Sequence, residues 1–84
     1  MKVYVVMFSF KGYDDYYSEI IGVYDSKEKA QKKLQEEMED IRFNRGYYDD
    51  DFYYKKEITS DNLYIAQRDY DFFEKVKIIE KEVK

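Results

Sequence analysis

Carboxylates are the side chains of this sequence that could do chemistry, because it contains 19 Asp and Glu residues but neither His nor Cys. Acidic clusters at 14–15, at 49–51 and at Asp69 with Asp71 could each be proposed as calcium or magnesium ligands. An EF-hand type of loop needs Gly at its sixth position and Glu at its twelfth. Counted from Asp49, those positions hold Tyr54 and Ser60. We therefore expect solvated loop carboxylates and no metal site.

The residues that other kinds of active site require are also absent from this sequence. Without His or Cys, neither a Ser-His nor a Cys-His nucleophile can be built. A pair of glycosidase-type carboxylates needs a cleft, and a domain of 84 residues has little room for one. The three glycines, Gly12, Gly22 and Gly46, form no phosphate-binding loop. The sequence therefore predicts a protein that is not an enzyme, with no catalytic residues and no cofactor.

Length and composition indicate one domain spanning 1–84. The absence of Cys excludes a disulfide scaffold, and we expect a cytoplasmic protein. No stretch approaches the roughly 20 apolar residues of a membrane span, so no membrane partner is expected. With a net charge of −4, direct binding to nucleic acid is not expected, and a partner with a basic surface is easier to accommodate.

Tyr and Asp alternate in two runs, 13–17 and 47–54, and this pattern is the most informative one for function. Residues 35–51 hold seven acids against two arginines, a local net charge of −5. Tyr offers contact area at low entropic cost, and carboxylates beside it suit a Lys/Arg-rich partner. The alternative is that several tyrosines belong to the core and the aspartates keep loops soluble. The candidate partner-binding surface comprises Tyr13, Asp14, Asp15, Tyr16, Tyr17, Tyr47, Tyr48, Asp49, Asp50, Asp51 and Tyr53.

Basic residues form two groups: Lys27, Lys29, Lys32 and Lys33 in one positive helix turn, and Lys75, Lys77, Lys81 and Lys84 near the end of the chain. Lysines beside aromatic residues would suit an RNA-binding sheet, but the RNP aromatic pattern is missing. We interpret the first group as a solvated helix face and the second as the protection of a sheet edge.

The first half of the chain predicts two strands and a helix. Residues 2–10 would place apolar side chains on both faces of a strand, which indicates a central strand covered on each side. A loop over 11–18 leads to a second strand over 19–24, paired antiparallel with the first. Asp25 or Ser26 can cap a helix, and Asp25 with Glu28 resembles a capping box. The apolar stripe of this helix is Ala30, Leu34, Met38 and Ile41, and Asn44 and Gly46 are plausible stops.

The second half predicts two or three further strands. Residues 47–54 form a loop that enters a strand near Phe52 or Tyr53, and this strand runs to Ile58. A turn at 60–62 and a return strand at 63–66 follow. The competing interpretation is a helix over 62–74, because Leu63, Ala66, Tyr70 and Phe73 also have helical spacing. A final strand over 72–83 carries the edge-protecting Lys and Glu residues. The expected fold is α+β: one helix packed on a largely antiparallel sheet of 4–5 strands, in the order β-β-α-β-β-β.

The opening Met-Lys-Val-Tyr-Val-Val resembles the start of small uncharacterised proteins of phages and low-GC Gram-positive bacteria. The segment 21–30 extends this likeness with its Gly-Val-aromatic step and its Ser-x-Glu-Lys-Ala helix start. The resemblance implies the strand, strand and helix over about the first 35 residues, and it assigns no chemistry. In composition alone, the chain is similar to phage anti-defence proteins such as anti-CRISPR and DNA-mimic inhibitors.

These patterns favour a non-catalytic binding protein, such as a phage-encoded inhibitor of a host nucleic-acid-handling protein. Its carboxylates would then occupy a basic groove that normally takes phosphates. Two alternatives remain open at this point. One is a small domain that binds a nucleotide or a metabolite, and the other is a structural module that pairs through a sheet edge, with homo-oligomers as a consequence.

Overall fold

The computed structural model describes residues 1–44, 56–69 and 72–83. One helix and five strands follow each other in the predicted order, which confirms the α+β class. The elements are β1 (Lys2–Lys11), β2 (Tyr16–Tyr24), α1 (Lys27–Asn44), β3 (Lys56–Ser60), β4 (Leu63–Asp69) and β5 (Phe72–Glu82). The predicted loop over 47–54, with its entry into a strand near Phe52 or Tyr53, lies outside the described residues.

The five strands form one antiparallel sheet in the order β2-β1-β5-β4-β3. The predicted central position of β1 is confirmed, because Val5 pairs with Val23 on one side and with Ile79 on the other. The predicted edge position of the last strand is wrong. β5 is the middle strand, bonded to both β1 and β4, and its lysines therefore protect no edge.

The helix packs on one face of this sheet. All four residues of the predicted stripe, Ala30, Leu34, Met38 and Ile41, are buried, as expected from their spacing. They meet Val6, Phe8, Tyr64, Ala66 and Val76 from the sheet. On the other face of β1, Val5 and Ser9 are also buried, although α1 lies on the opposite side of the sheet. Among the described elements, α1 covers one face of β1, and no second layer covers the other face.

Ser26, rather than Asp25, caps the helix. Its hydroxyl oxygen accepts a hydrogen bond from the Lys29 amide at 3.2 Å, which satisfies one of the free N–H groups of the first turn. The Asp25 carboxylate instead accepts from the Lys29 ammonium at 2.9 Å. The expected capping box between Asp25 and Glu28 is therefore wrong. The helix is described as far as Asn44, and because the residues that follow, Gly46 included, lie outside the described part of the chain, the predicted stops stay predictions.

Two further differences concern strands. The competing helix over 62–74 is wrong, because β4 and the start of β5 are paired strands joined to β3 by a turn at 61–62. Val6 pairs with Gly22 and the next residue of β1, Met7, pairs with Ile20. Ile21 of β2 therefore has no partner in β1 and forms a β-bulge. Gly22 beside the bulge leaves room for an aromatic ring, since a Cβ at this position would lie 2.6 Å from the ring of Tyr24.

Candidate protein-binding surface

The first Tyr/Asp run lies at the end of the β1–β2 hairpin. The predicted loop over 11–18 is shorter in the structure, because Tyr16, Tyr17 and Ser18 extend β2 and pair with β1. Lys11 pairs with Tyr16, and the Gly12 amide donates a hydrogen bond of 2.8 Å to the Asp15 carbonyl oxygen. This bond links the two ends of the connection between β1 and β2, and residues 13 and 14 form the bend between them. We call residues 12–17 the hairpin tip.

The side chains of the hairpin tip face solvent. Tyr13 and Tyr16 are each 62% exposed and Tyr17 is 50% exposed, while Asp14 and Asp15 between them are also exposed. The alternative that the tyrosines belong to the core therefore fails for these three. The tip presents two adjacent carboxylates flanked by three aromatic side chains.

An aromatic cluster supports the tip from the helix side of the sheet. The ring centroid of Tyr17 lies 6.0 Å from that of Phe8 and 5.8 Å from that of Phe10. The Tyr13 ring lies 5.7 Å from that of Phe72. Phe10 and Phe72 in turn meet edge to face at 5.6 Å, and both pack against the main core. Two tip tyrosines thus have one side fixed on other rings and the other side in solvent, which limits the entropy they lose on binding.

Tyr16 points the other way. It pairs with Lys11 in the register of β1 and β2, and alternation along the strand places its side chain on the sheet face opposite to Tyr17. The exposed rings of the tip therefore flank the turn from both faces of the sheet.

The second Tyr/Asp run lies outside the described residues. The structure therefore does not test whether it adjoins the hairpin tip, and its part of the surface stays a prediction. The residues concerned are Tyr47, Tyr48, Asp49, Asp50, Asp51 and Tyr53.

A polar cluster that the sequence analysis missed joins α1 to β3. Arg42, near the end of the helix, donates from Nε to Glu57 Oε2 at 2.7 Å and from Nη2 to Glu57 Oε1. The hydroxyl of Tyr64 donates to the same Oε2 at 2.8 Å, and the guanidinium carbon lies 5.8 Å from the centroid of the Tyr64 ring. The sequence carries no local signal for this cluster, because its three residues lie on three separate elements.

The electrostatics of this cluster favour the charged Arg42–Glu57 pair. The hydrogen bond from Arg42 lowers the pKa of the Glu57 carboxyl, with a smaller contribution from Tyr64. The bond to Glu57 likewise raises the pKa of Arg42. Burial, and then the hydrogen bond to Glu57, raises the pKa of the Tyr64 hydroxyl. The Tyr64 hydroxyl therefore stays protonated and donates, and the cluster fastens the edge strand β3 to the helix.

Neither a metal centre nor a membrane span is found in the described part of the chain. Residues 1–44, 56–69 and 72–83 contain no group of three or more acidic side chains arranged to hold a metal ion. Among the same residues, no helix is long and apolar enough to cross a membrane. Tyr4, Lys27, Asn62, Ile78 and Glu80 line a shallow surface depression.

The family model for a domain of unknown function, DUF7336, matches residues 1–65. The chain belongs to this family. The match includes β1, the hairpin tip, β2, α1, β3 and the start of β4, whereas the middle strand β5 lies beyond it. No curated protein and no solved structure matches the chain.

Proposed function

We propose that this protein is a non-catalytic protein-binding module whose hairpin tip contacts a partner with a basic surface. One observation carries the proposal: three tyrosines, each at least half exposed, flank two exposed carboxylates on a turn that is fixed from behind by Phe10 and Phe72. Binding hot spots are rich in Tyr, and a fixed ring loses little entropy on contact. The aspartates add charge complementarity to Lys and Arg, which speeds association and selects the partner.

The tip alone is smaller than a stable interface. Such an interface takes about 20–30 residues from each partner, whereas the tip offers residues 12–17. We therefore assign it the role of a hot spot within a larger contact. The second run, 47–54, supplies further Tyr and Asp side chains of the same kind, and we expect Asp49, Asp50 and Asp51 to contribute to the same partner.

A narrower form of the proposal concerns the partner. A cytoplasmic protein that handles nucleic acid has a basic groove for phosphates, and the aspartates of both runs would occupy it as substitutes. The acidic excess of the chain and the absence of His and Cys support an inhibitor of this kind rather than an enzyme. A phage origin would place that partner in the host cytoplasm.

Site-specific crosslinking tests the proposal. A photo-crosslinking phenylalanine analogue at position 16 or 13 should trap a partner with a basic surface in a lysate of the native host. The matched control carries the same analogue at position 28, which is exposed on the first turn of α1 on another part of the surface. Equal yields of the same product from the tip positions and from position 28 would refute binding by the tip.

One observation favours the alternative of pairing through a sheet edge. β2 is an edge strand of nine residues, it contains one charged residue, Glu19, and it exposes Ile20 and Val23. Such an edge can pair with another strand, although the bulge at Ile21 interrupts it. Light scattering over a range of concentrations separates the two functions. A dimer that becomes a monomer on Ile20→Lys would support pairing through β2.

A further inference from the structure

The lysines of β5 lie together on the sheet face that α1 leaves uncovered. Glu74 and Val76 are buried on the helix side, so alternation places Lys75, Lys77 and Lys81 on the opposite side. Lys56 of β3 lies on the same face, because paired residues of neighbouring strands share a face. It pairs with Gln67, and Gln67 pairs with Phe73, which is on the same side of β5 as Lys75. We call this surface, defined by Lys56, Lys75, Lys77 and Lys81, the lysine face.

Among the strand side chains that the structure describes, those on the lysine face carry only positive charge. Each Glu of the described strands lies on the helix side, as the pairs Glu19–Phe8, Glu57–Ala66 and Glu80–Tyr4 show. Among the described residues, none of the four lysines forms an ion pair, and the Lys75 ammonium lies 5.9 Å from the Phe73 ring. Four lysines without an ion pair among the described residues thus share one face of a chain whose net charge is −4. Repulsion between these like charges does not stabilise the fold. The clustering of the four lysines therefore calls for an explanation other than stability.

Aliphatic side chains flank these cations. Lys77 lies between Leu63 of β4 and Met7 of β1, and the next residue across the sheet is Ile20, which is 61% exposed. On the other side, Lys75 is followed by Ile65 and then by Ile58, which is 39% exposed. Lys75 and Lys77 are themselves half-buried, because their stems lie along these neighbours. The face therefore offers a row of ammonium groups between two apolar strips.

We propose that the lysine face binds an acidic, amphipathic segment of another protein. Carboxylates of the segment would pair with the row of ammonium groups, and its apolar side chains would cover the two strips. This inference goes beyond the proposed function, because it concerns a different surface and a partner of the opposite charge.

Two other occupants fit the face less well. Sheets that bind single-stranded nucleic acid stack bases on aromatic rings, whereas the described rings of this face, Phe73 and Tyr16, both lie at one end of it. A second copy bound face to face about a two-fold axis would set one row of lysines against the other. This like-charge contact is unfavourable.

Titration of the isotope-labelled full chain, followed by NMR, tests the proposal. The probe is a 16-residue amphipathic peptide that carries Glu and Leu, and its matched control carries Lys in place of each Glu. We expect amide shifts at Met7, Ile65 and Lys77 with the Glu peptide and none with the Lys peptide. An absence of shifts on the lysine face, or equal binding of both peptides, overturns the proposal. Tighter binding of an oligothymidylate at the face, or self-association through it, overturns it as well.

Charge reversal locates the site. Lys75→Glu with Lys77→Glu should weaken binding of the Glu peptide at least tenfold, while Lys27→Glu with Lys32→Glu, on the helix, should change it less than twofold. If the first variant does not fold, Lys75→Gln with Lys77→Gln replaces it, with an expected threefold loss. Asp14→Asn with Asp15→Asn should leave binding of the Glu peptide unchanged. The experiment therefore tests the lysine face separately from the proposed binding by the hairpin tip. Equal losses from the helix and sheet variants refute the assignment.

Discussion

Phe10 and Phe72 meet edge to face, with 5.6 Å between their ring centroids and 82° between their planes. The contact joins β1 to β5 just behind the turn, and Tyr17 and Tyr13 each pack on one of the two rings. The orientation of the hairpin tip therefore depends on a side chain near the other end of the sequence.

Removing the Phe72 ring should loosen the tip. We expect Phe72→Ala to lower the free energy of unfolding by about 1–3 kcal/mol, because the ring is partly buried and contacts two other rings. The Gly12 amide, which closes the turn, should then exchange its hydrogen faster. Urea denaturation and amide exchange measure the two effects. Phe43→Ala, at a ring that is 64% exposed, is the control, and an equal loss there would contradict the account.

The Arg42–Glu57–Tyr64 cluster should contribute to stability as a unit. Tyr64→Phe removes one hydrogen bond and should lower the free energy of unfolding by about 0.5–1.5 kcal/mol. Glu57→Gln weakens the charged pair and should lower it by about 1–3 kcal/mol. The double variant should lose less free energy of unfolding than the two single variants lose together, because both bonds end on the same carboxylate. Strictly additive losses in chemical denaturation would contradict this geometry.

The same cluster predicts a dependence on pH. The pKa of Glu57 is lower in the folded than in the unfolded chain, because Arg42 donates to its carboxylate. Its contribution is therefore fully present above the unfolded pKa of about 4.3 and is lost as the pH falls through the folded value. Unfolding free energies between pH 7 and pH 3 should thus show the wild type losing its advantage over Glu57→Gln below about pH 4. A constant difference over this range would exclude the pair as its source.

The two residues before the helix should differ in their effects. Ser26→Ala removes the cap on the Lys29 amide and should lower the free energy of unfolding by about 0.5–2 kcal/mol. Asp25→Ala removes an exposed ion pair, and we expect a smaller loss that disappears in high salt. Thermal unfolding at two salt concentrations compares them. A larger, salt-independent loss from Asp25→Ala would mean that Asp25 is the cap.

Local patterns predicted what is local in this fold. The helix stripe from Ala30 to Ile41 is visible because side chains three and four residues apart share a helix face, and the Ser-Asp-Asn sequence at 60–62 marked the β3–β4 turn. The position of β5 was not visible. Alternating lysines look the same on an edge strand and on a central strand with one open face, and the pairing of β1 with β5 is decided by contacts across the whole chain.

The candidate site was predictable in part for the same reason. The Tyr/Asp run at 13–17 indicated a surface from composition, and its tyrosines are exposed. The sequence predicts a loop over 11–18, whereas Tyr16 and Tyr17 extend β2 and shorten this connection, in keeping with the preference of Tyr for strands. The aromatic support from Phe72 and the contact between Arg42 and Glu57 both join distant segments, which a reading of neighbouring residues cannot detect.

The most direct test of the hairpin tip compares capture by three forms of the chain from a lysate of the native host. These are the wild type, Asp14→Asn with Asp15→Asn, and a control with the same change of charge, Glu28→Gln with Asp61→Asn, at exposed positions outside the tip. For a captured partner, the measured quantity is the Kd as a function of salt. We expect the tip variant to bind at least tenfold more weakly, with a flatter salt dependence, and the control to match the wild type. Equal Kd values and equal salt dependence for the tip variant and the wild type would contradict the proposed function.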